Sequence, residues 1–272
     1  MKTKMQSIGF AFAAIMLAAA LLSLPQQARA AALPYGASAL PQQENQAGSA
    51  NVDPAVESRL NKKQYKNVHA TVDNGVATLT GTVDLYEYKE DAGKTVLHAR
   101  GVTGVRNQIQ VAGPTISDSA LQAKLVEKLE YNRVGFGNVF DAIGVKVQDG
   151  AVTLGGHAHD YPNRDSALGL VATTPGVKDL VDNIEVDPLS QMDEQTRFAV
   201  AHAIYGYSAL QKYAIDPALP IRIAVQNGNV ELYGLVDSQA DKSIAFMRAS
   251  AVPGVFSVKN YLAVANQPSE TK

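Results

Sequence analysis

Cysteine is absent from all 272 residues, which excludes disulfide bonds, thiol chemistry and acylation at an N-terminal cysteine. Long apolar runs are almost missing too. The one uncharged stretch of note runs from Ile8 to Leu24, about 17 residues and at the short limit for a membrane span. Its flanks read as a secretory signal: Met1-Lys2-Thr3-Lys4 ahead, Pro25 behind, then Ala28-Arg29-Ala30 as an A-x-A cleavage site. Cleavage after Ala30 is therefore expected, leaving an exported chain with no transmembrane span.

Excess positive charge is also lacking. Residues 1–30 take Lys2, Lys4 and Arg29 and no acid with them, so the rest carries 21 Lys+Arg against 26 Asp+Glu, a net of about −5. That balance gives no general attraction to nucleic acid or to an anionic bilayer, so any such contact must be local. Catalytic signatures are missing as well: no Gly-x-Ser-x-Gly elbow, no Walker loop and no His-Glu-x-x-His occurs. The five histidines, at positions 69, 98, 157, 159 and 202, share no common place in the repeats described next. His157 and His159 alternate on one strand face with Asp160 following, a spacing that suits a metal, but a third firm ligand is missing locally. No enzyme activity, no metal and no cofactor is expected.

What is present is repetition. GVTGVRNQIQV (101–111) returns as GVKDLVDNIEV (176–186) and as GVFSVKNYLAV (254–264). Aligned on these, Gly75, Gly150 and Gly228 fall into register, then Gly81, Gly156 and Gly234, then Gly101, Gly176 and Gly254. A block of 37 residues thus recurs three times without a gap.

The first glycine of each set follows Asn74, Asp149 or Asn227 between alternating apolar residues, the strongest short signal for a β-hairpin. Val68, Ala70 and Val72, with their counterparts Ile143, Val145, Val147 and Ile221, Ile223, Val225, set one inward parity. Ala77 and Leu79, Val152 and Leu154, Val230 and Leu232 continue it on the second strand. The second glycine shares that parity and predicts close backbone approach, by a covering helix. The third glycine ends a helix over 87–100, 160–174 or 238–252. The strand after it points Val105, Ile109 and Val111 inward, and likewise Leu180, Ile184, Val186 and Val258, Leu262, Val264. Asn107, Asp182 and Asn260 lie on the same parity and are read as satisfying nearby backbone groups rather than a ligand.

Another helix precedes each hairpin. Asp53-Pro54 reads as a cap and first helical residue, and the next two helices begin near Asp118 and Asp193, read as the corresponding capping aspartates. The fold class is therefore α+β: three tandem αββαβ units, each a three-stranded mixed sheet with two helices packed on one face. The expected order is a signal (1–30), a flexible linker (31–51), units at 52–112, 116–187 and 191–265, and a disordered tail (266–272).

The Asx-Gly hairpin, the glycine six residues on, and the closing Gly-Val with its Asn or Asp and final apolar strand resemble the BON domain, a module of bacterial periplasmic and osmotically induced proteins. The resemblance covers residues 52–265 and implies the mixed sheet, periplasmic residence, and association with phospholipid surfaces and envelope integrity. It does not itself fix an activity.

Specific function is expected where the copies differ. The path from Asp to first strand lengthens from copy one to copies two and three, by an insertion at 131–142 and another opening at Tyr205. Val134, Phe136, Val139 and Phe140 in the second copy, with Arg133 beside them, suit a lipid interface or a protein partner, as do Tyr205, Tyr207 and Tyr213 in the third. The alternatives are that these loops fold over their own sheets, or that Phe136 and Phe140 join one copy to the next. Lys62, Lys63 and Lys66 in copy one read as a solvated helix end rather than a phosphate-facing patch. The partner expected is an anionic phospholipid surface, or else an envelope protein for which the chain is an adaptor.

Overall fold

The computed structural model describes residues 54–133, 138–215 and 221–265. The expected signal, linker and tail, and the loop residues Val134 and Phe136, lie outside the described residues.

In the first unit, α1 (Pro54–Leu60) leads to the hairpin β1 (Val68–Asp73) and β2 (Val76–Val83), then α2 (Tyr86–Leu97) and a third strand in two pieces, β3 (Gly104–Asn107) and β4 (Gln110–Val111). The second unit repeats this with α3 (Asp118–Tyr131), β5 (Ala142–Gln148), β6 (Ala151–Ala158), α4 (Tyr161–Ala172) and β7 (Asp179–Val186). The third comprises α5 (Gln191–Tyr205), a one-turn helix α6 (Lys212–Ile215), β8 (Arg222–Gln226), β9 (Asn229–Tyr233), β10 (Leu235–Val236), α7 (Gln239–Ser250), β11 (Ser257–Asn260) and β12 (Ala263–Val264). Each hairpin is antiparallel and its second strand pairs in parallel with the third, so the middle strand of each sheet is the hairpin's second. Three apolar cores follow, one per unit, from the alternating residues read above. Among the described residues no helix is long and apolar enough to cross a membrane.

The hairpin turns take the left-handed conformation at both central residues, with Asp149 at φ 52° and Gly150 at 81°, as the Asx-Gly pairs require. The second glycine is a correction. Its close neighbour is not a helix but the opposite edge of its own hairpin: a Cβ on Gly156 would lie 2.1 Å from the Ala142 carbonyl oxygen, with φ at +99°. The glycine therefore kinks the middle strand where the hairpin ends.

The aspartates at the helix starts are a second correction. Ser117 and Ser190 cap α3 and α5, accepting from the amides of Ala120 and Asp193. The freed carboxylates reach across to the hairpin turns. Asp118 accepts from the amides of Asp149 (2.7 Å) and Gly150 (3.0 Å), and Asp193 from those of Asn227 (2.9 Å) and Gly228 (2.8 Å). Each aspartate thus ties the first helix to the turn; Asp53, its counterpart in the first unit, lies outside the described residues.

The inward Asn of the third strand satisfies backbone groups as expected. Asn107 donates to the Lys89 carbonyl (2.7 Å) and accepts from the Ile109 amide, and Asn260 does the same with Lys242 (2.9 Å) and Leu262. The second unit has Asp182, which cannot donate. There Arg164, at the helix position of Lys89 and Lys242, supplies the donors to Asp182.

Candidate functional site

The two insertions come together. Phe140, from the second unit, is buried in the core of the third, among Val200, Ile204, Leu210, Ile221 and Ile223, and Val139 packs beside it. Tyr205 packs against the same core and donates to the Ile221 carbonyl (2.6 Å); burial pushes its hydroxyl above the ordinary tyrosine range. Tyr213, also buried, donates to Asp241 Oδ2 (2.8 Å) and accepts from the Asp237 amide. The joining alternative therefore describes Phe140, and the insertion of copy three roofs its own sheet. Of the expected contact residues that are described, Tyr207 is the one well exposed, with the Arg248 guanidinium 5.4 Å over its ring.

Arg133 is 3% exposed and faces inward, where the expectation had it meeting lipid phosphate. Its guanidinium donates to Asp141 Oδ2 (2.9 Å) and to the Asn163 carbonyl (2.7 Å). Asp141 also accepts from the His159 amide (2.9 Å) and the Asn163 side chain (3.1 Å). Burial nevertheless outweighs these donors and raises the Asp141 carboxyl above its usual value. The insertion is thus stapled at both ends, by an ion pair at Arg133–Asp141 and by Phe140 in the neighbouring core.

Around this staple runs a polar seam between the second and third units. Arg197 of α5 donates to Asp187, just past β7 (2.8 Å), to the Val225 carbonyl (3.1 Å) and to Glu194 (2.6 Å), with its guanidinium 5.9 Å from the Phe140 ring. Phe198 meets Phe140 edge-on at 5.3 Å. Arg222 of β8 reaches back to Glu130 (3.7 Å) and to the Asp141 carbonyl (3.4 Å). His157 and His159 belong to this seam. Their ring nitrogens lie 3.6 Å from Asp187, 3.9 Å from Glu231 and 3.6 Å from Glu194. Among the described residues no cluster suited to a metal occurs.

The junction of the first and second units is simpler. Tyr86, at the start of α2, is buried in the second unit's core, and Lys89 pairs with Asp179 at 3.8 Å. Each of the first two units therefore lends one aromatic side chain to the core of the next. The seam's charged members escaped the sequence reading because they do not recur between copies; the one available signal was the pair of out-of-register histidines.

Outward-facing apolar side chains remain on the third unit: Met192, Phe246, Met247 and, at 81% exposure, Phe256. On α7, Phe246 and Met247 lead directly into Arg248.

The BON domain family model matches residues 50–113, 117–188 and 207–266. The third match begins after α5, although that helix occupies the place of α1 and α3. The chain is 28% identical over 187 residues to osmotically-inducible protein Y of Escherichia coli (strain K12), covering 64% of this chain and 86% of that protein. Among solved structures, two of CdsD, a structural protein of the type III secretion system of Chlamydia trachomatis, align over 79% of this chain at 17% and 18% identity, covering 96% and 92% of those chains, each with a TM-score of 0.24, too low to carry an argument.

Proposed function

Because the chain belongs to the BON domain family, we propose that it is an exported, periplasmic, non-enzymatic binding protein that associates with phospholipid surfaces of the cell envelope and supports envelope integrity under osmotic or other stress. The observation that carries this reading is the threefold repetition of one module over nearly all the chain beyond its signal-like start. The similarity to a protein named for osmotic induction supports the setting.

Two features support a lipid contact on the second and third units. The apolar residues Val134 and Phe136 lie in the sequence between Arg133 and Phe140, whose side chains are held by Asp141 and by the neighbouring core. Tyr207 under Arg248 places an amphipathic ring beside a cation, a pairing suited to a phosphate-rich interface.

Flotation with liposomes of increasing anionic lipid content tests the reading. Phe136→Ser is expected to weaken flotation with unchanged folding, and Arg248→Glu to weaken it further on anionic lipid. No flotation of the parent chain at low salt sinks the lipid reading and directs the search to an envelope protein partner.

A further inference from the structure

Both ring nitrogens of His157 face carboxylates. Nδ1 lies 3.6 Å from Asp187 Oδ1 and Nε2 lies 3.9 Å from Glu231 Oε2, on β9 of the third unit. A neutral imidazole has one N–H and one lone pair, so either tautomer turns a lone pair toward a carboxylate. Only the imidazolium presents N–H to both. His159 makes one such contact across the seam: its Nε2 is 3.6 Å from Glu194 of α5. Among the described residues, the Nδ1 atoms of both histidines are buried without a hydrogen-bond partner.

The surrounding charges leave room for a proton on His157. Asp187 beyond β7, Glu185 on β7, Glu194 on α5 and Glu231 on β9 supply four carboxylates around the pair. Among the described residues, the permanent cations facing them are two: Arg197, bound to Asp187 and Glu194, and Lys259 of β11, bound to Glu231 at 2.7 Å. Tyr233 donates to Glu231 and is neutral. Asp141, which accepts the His159 amide, is already matched by Arg133. Two negative charges therefore remain when the histidines are neutral, and a proton on His157 cancels one of them. Asp187 is almost wholly buried, so salt screens its interaction with His157 little.

The geometry points to a proton-operated joint: protonation of His157 fastens the third unit to the second, and deprotonation loosens that seam. The joint is peculiar to this junction. The positions of His157 and His159 are Thr82 and Asp84 in the first unit and Leu235 and Asp237 in the third. The first junction rests instead on Tyr86 and the Lys89–Asp179 pair.

The sign follows from linkage. The Asp187 carboxylate beside Nδ1, within the second unit, raises the His157 pKa most, burial opposes it, and Glu231 across the seam raises it further. The contact with Glu231 exists only while the units are docked, so through it the docked seam binds the proton more tightly than the open one. Docking is strongest below the free-histidine value of about 6.5 and weakens as pH rises through the docked value. Each pH unit separating the docked from the open pKa changes the docked-to-open ratio about tenfold.

The cysteine-free chain permits clean double labelling. Spin labels at Glu127→Cys on α3 and Ser243→Cys on α7, both exposed, report the distance between the second and third units in the chain from Ala31 onward. The expected result is a narrow distribution near about pH 5.5 and a broader one near about pH 8, with the transition above the free-histidine value. His157→Gln with His159→Gln is expected to give the broad distribution at both, with an unchanged far-UV spectrum. Identical distributions at the two pH values in the parent chain overturn the proposal. So does an equal pH response in the double variant, which assigns the titration to another group.

Discussion

The ion pair that staples the insertion offers a prediction with an internal control. Asp141 is 1% exposed and takes donors from Arg133, Asn163 and the His159 amide. Asp141→Asn turns an amide N–H₂ toward the guanidinium and removes the buried carboxylate of its ion pair, at a cost of about 3–5 kcal/mol. Arg133→Met leaves the opposite charge behind, and the two cases are not symmetric. A guanidinium cannot shed its proton, whereas a carboxyl can take one up. Burial already raises the Asp141 pKa in the parent chain, and removal of the cation raises it further. The folded Arg133→Met protein then binds a proton that the unfolded chain, with its carboxyl near about 3.9, does not hold. Its stability therefore rises as pH falls through the raised value, by roughly 1.4 kcal/mol for each pH unit that separates the folded pKa from the unfolded one. Native-state hydrogen exchange on the β5 and β6 amides, measured between about pH 5 and 7.5, localises the effect to the second unit. Asp141→Asn should lose protection equally across this range, while Arg133→Met should recover part of it on the acid side. If neither substitution changes β5–β6 protection, Arg133 points outward and the staple does not exist.

Other outcomes follow from single contacts. Gly156→Ala, which sets a methyl 2.1 Å from a carbonyl oxygen, should prevent the second unit from folding stably, seen as loss of its cooperative transition in a urea titration. Gly101→Ala meets nothing within 4 Å and has only its φ of +82° to strain, so it should cost about 1 kcal/mol by the same titration. Asp182→Asn alone removes the carboxylate that Arg164 bonds, leaving the guanidinium Asp165, and should destabilise the second unit by about 1 kcal/mol; adding Arg164→Lys recreates the residue pair at which Asn107 and Asn260 donate to the helix carbonyl and should restore most of the midpoint. Phe140→Ala removes a ring from the neighbouring core and should cost about 3 kcal/mol, read as lost exchange protection in β8 rather than in β5.

What was legible in the sequence is what recurs. Alternation showed which face of each strand is apolar, and the Asx-Gly pairs located the turns, because both depend on residues adjacent along the chain. The second glycine was found but misassigned, since a kink against the hairpin's own edge and a helix passing overhead both exclude a Cβ. Asp118 and Asp193 were likewise found by their recurrence and given the wrong partner. A carboxylate at a helix start favours its own helix and an amide pair thirty-odd residues away on the same grounds, and only the fold chooses between them.

The residues that join units were hidden for a different reason. A repeat is recognised by what its copies share, while an interface between unlike neighbours is made from what they do not. Phe140 and Arg133 stood out because they are unusual in a loop, and aromatics beside a cation suit a bilayer surface and a buried joint equally well. Burial decides between them. Phe140 is inside the third unit's core and Arg133 is paired within the second. The first unit, whose path between first helix and hairpin is the shortest of the three, lends its aromatic side chain from α2 instead, as Tyr86. The lengthened path in the second unit supplies the side chain that reaches the third, so that insertion first serves assembly, and any outward contact must rest on the side chains it leaves exposed.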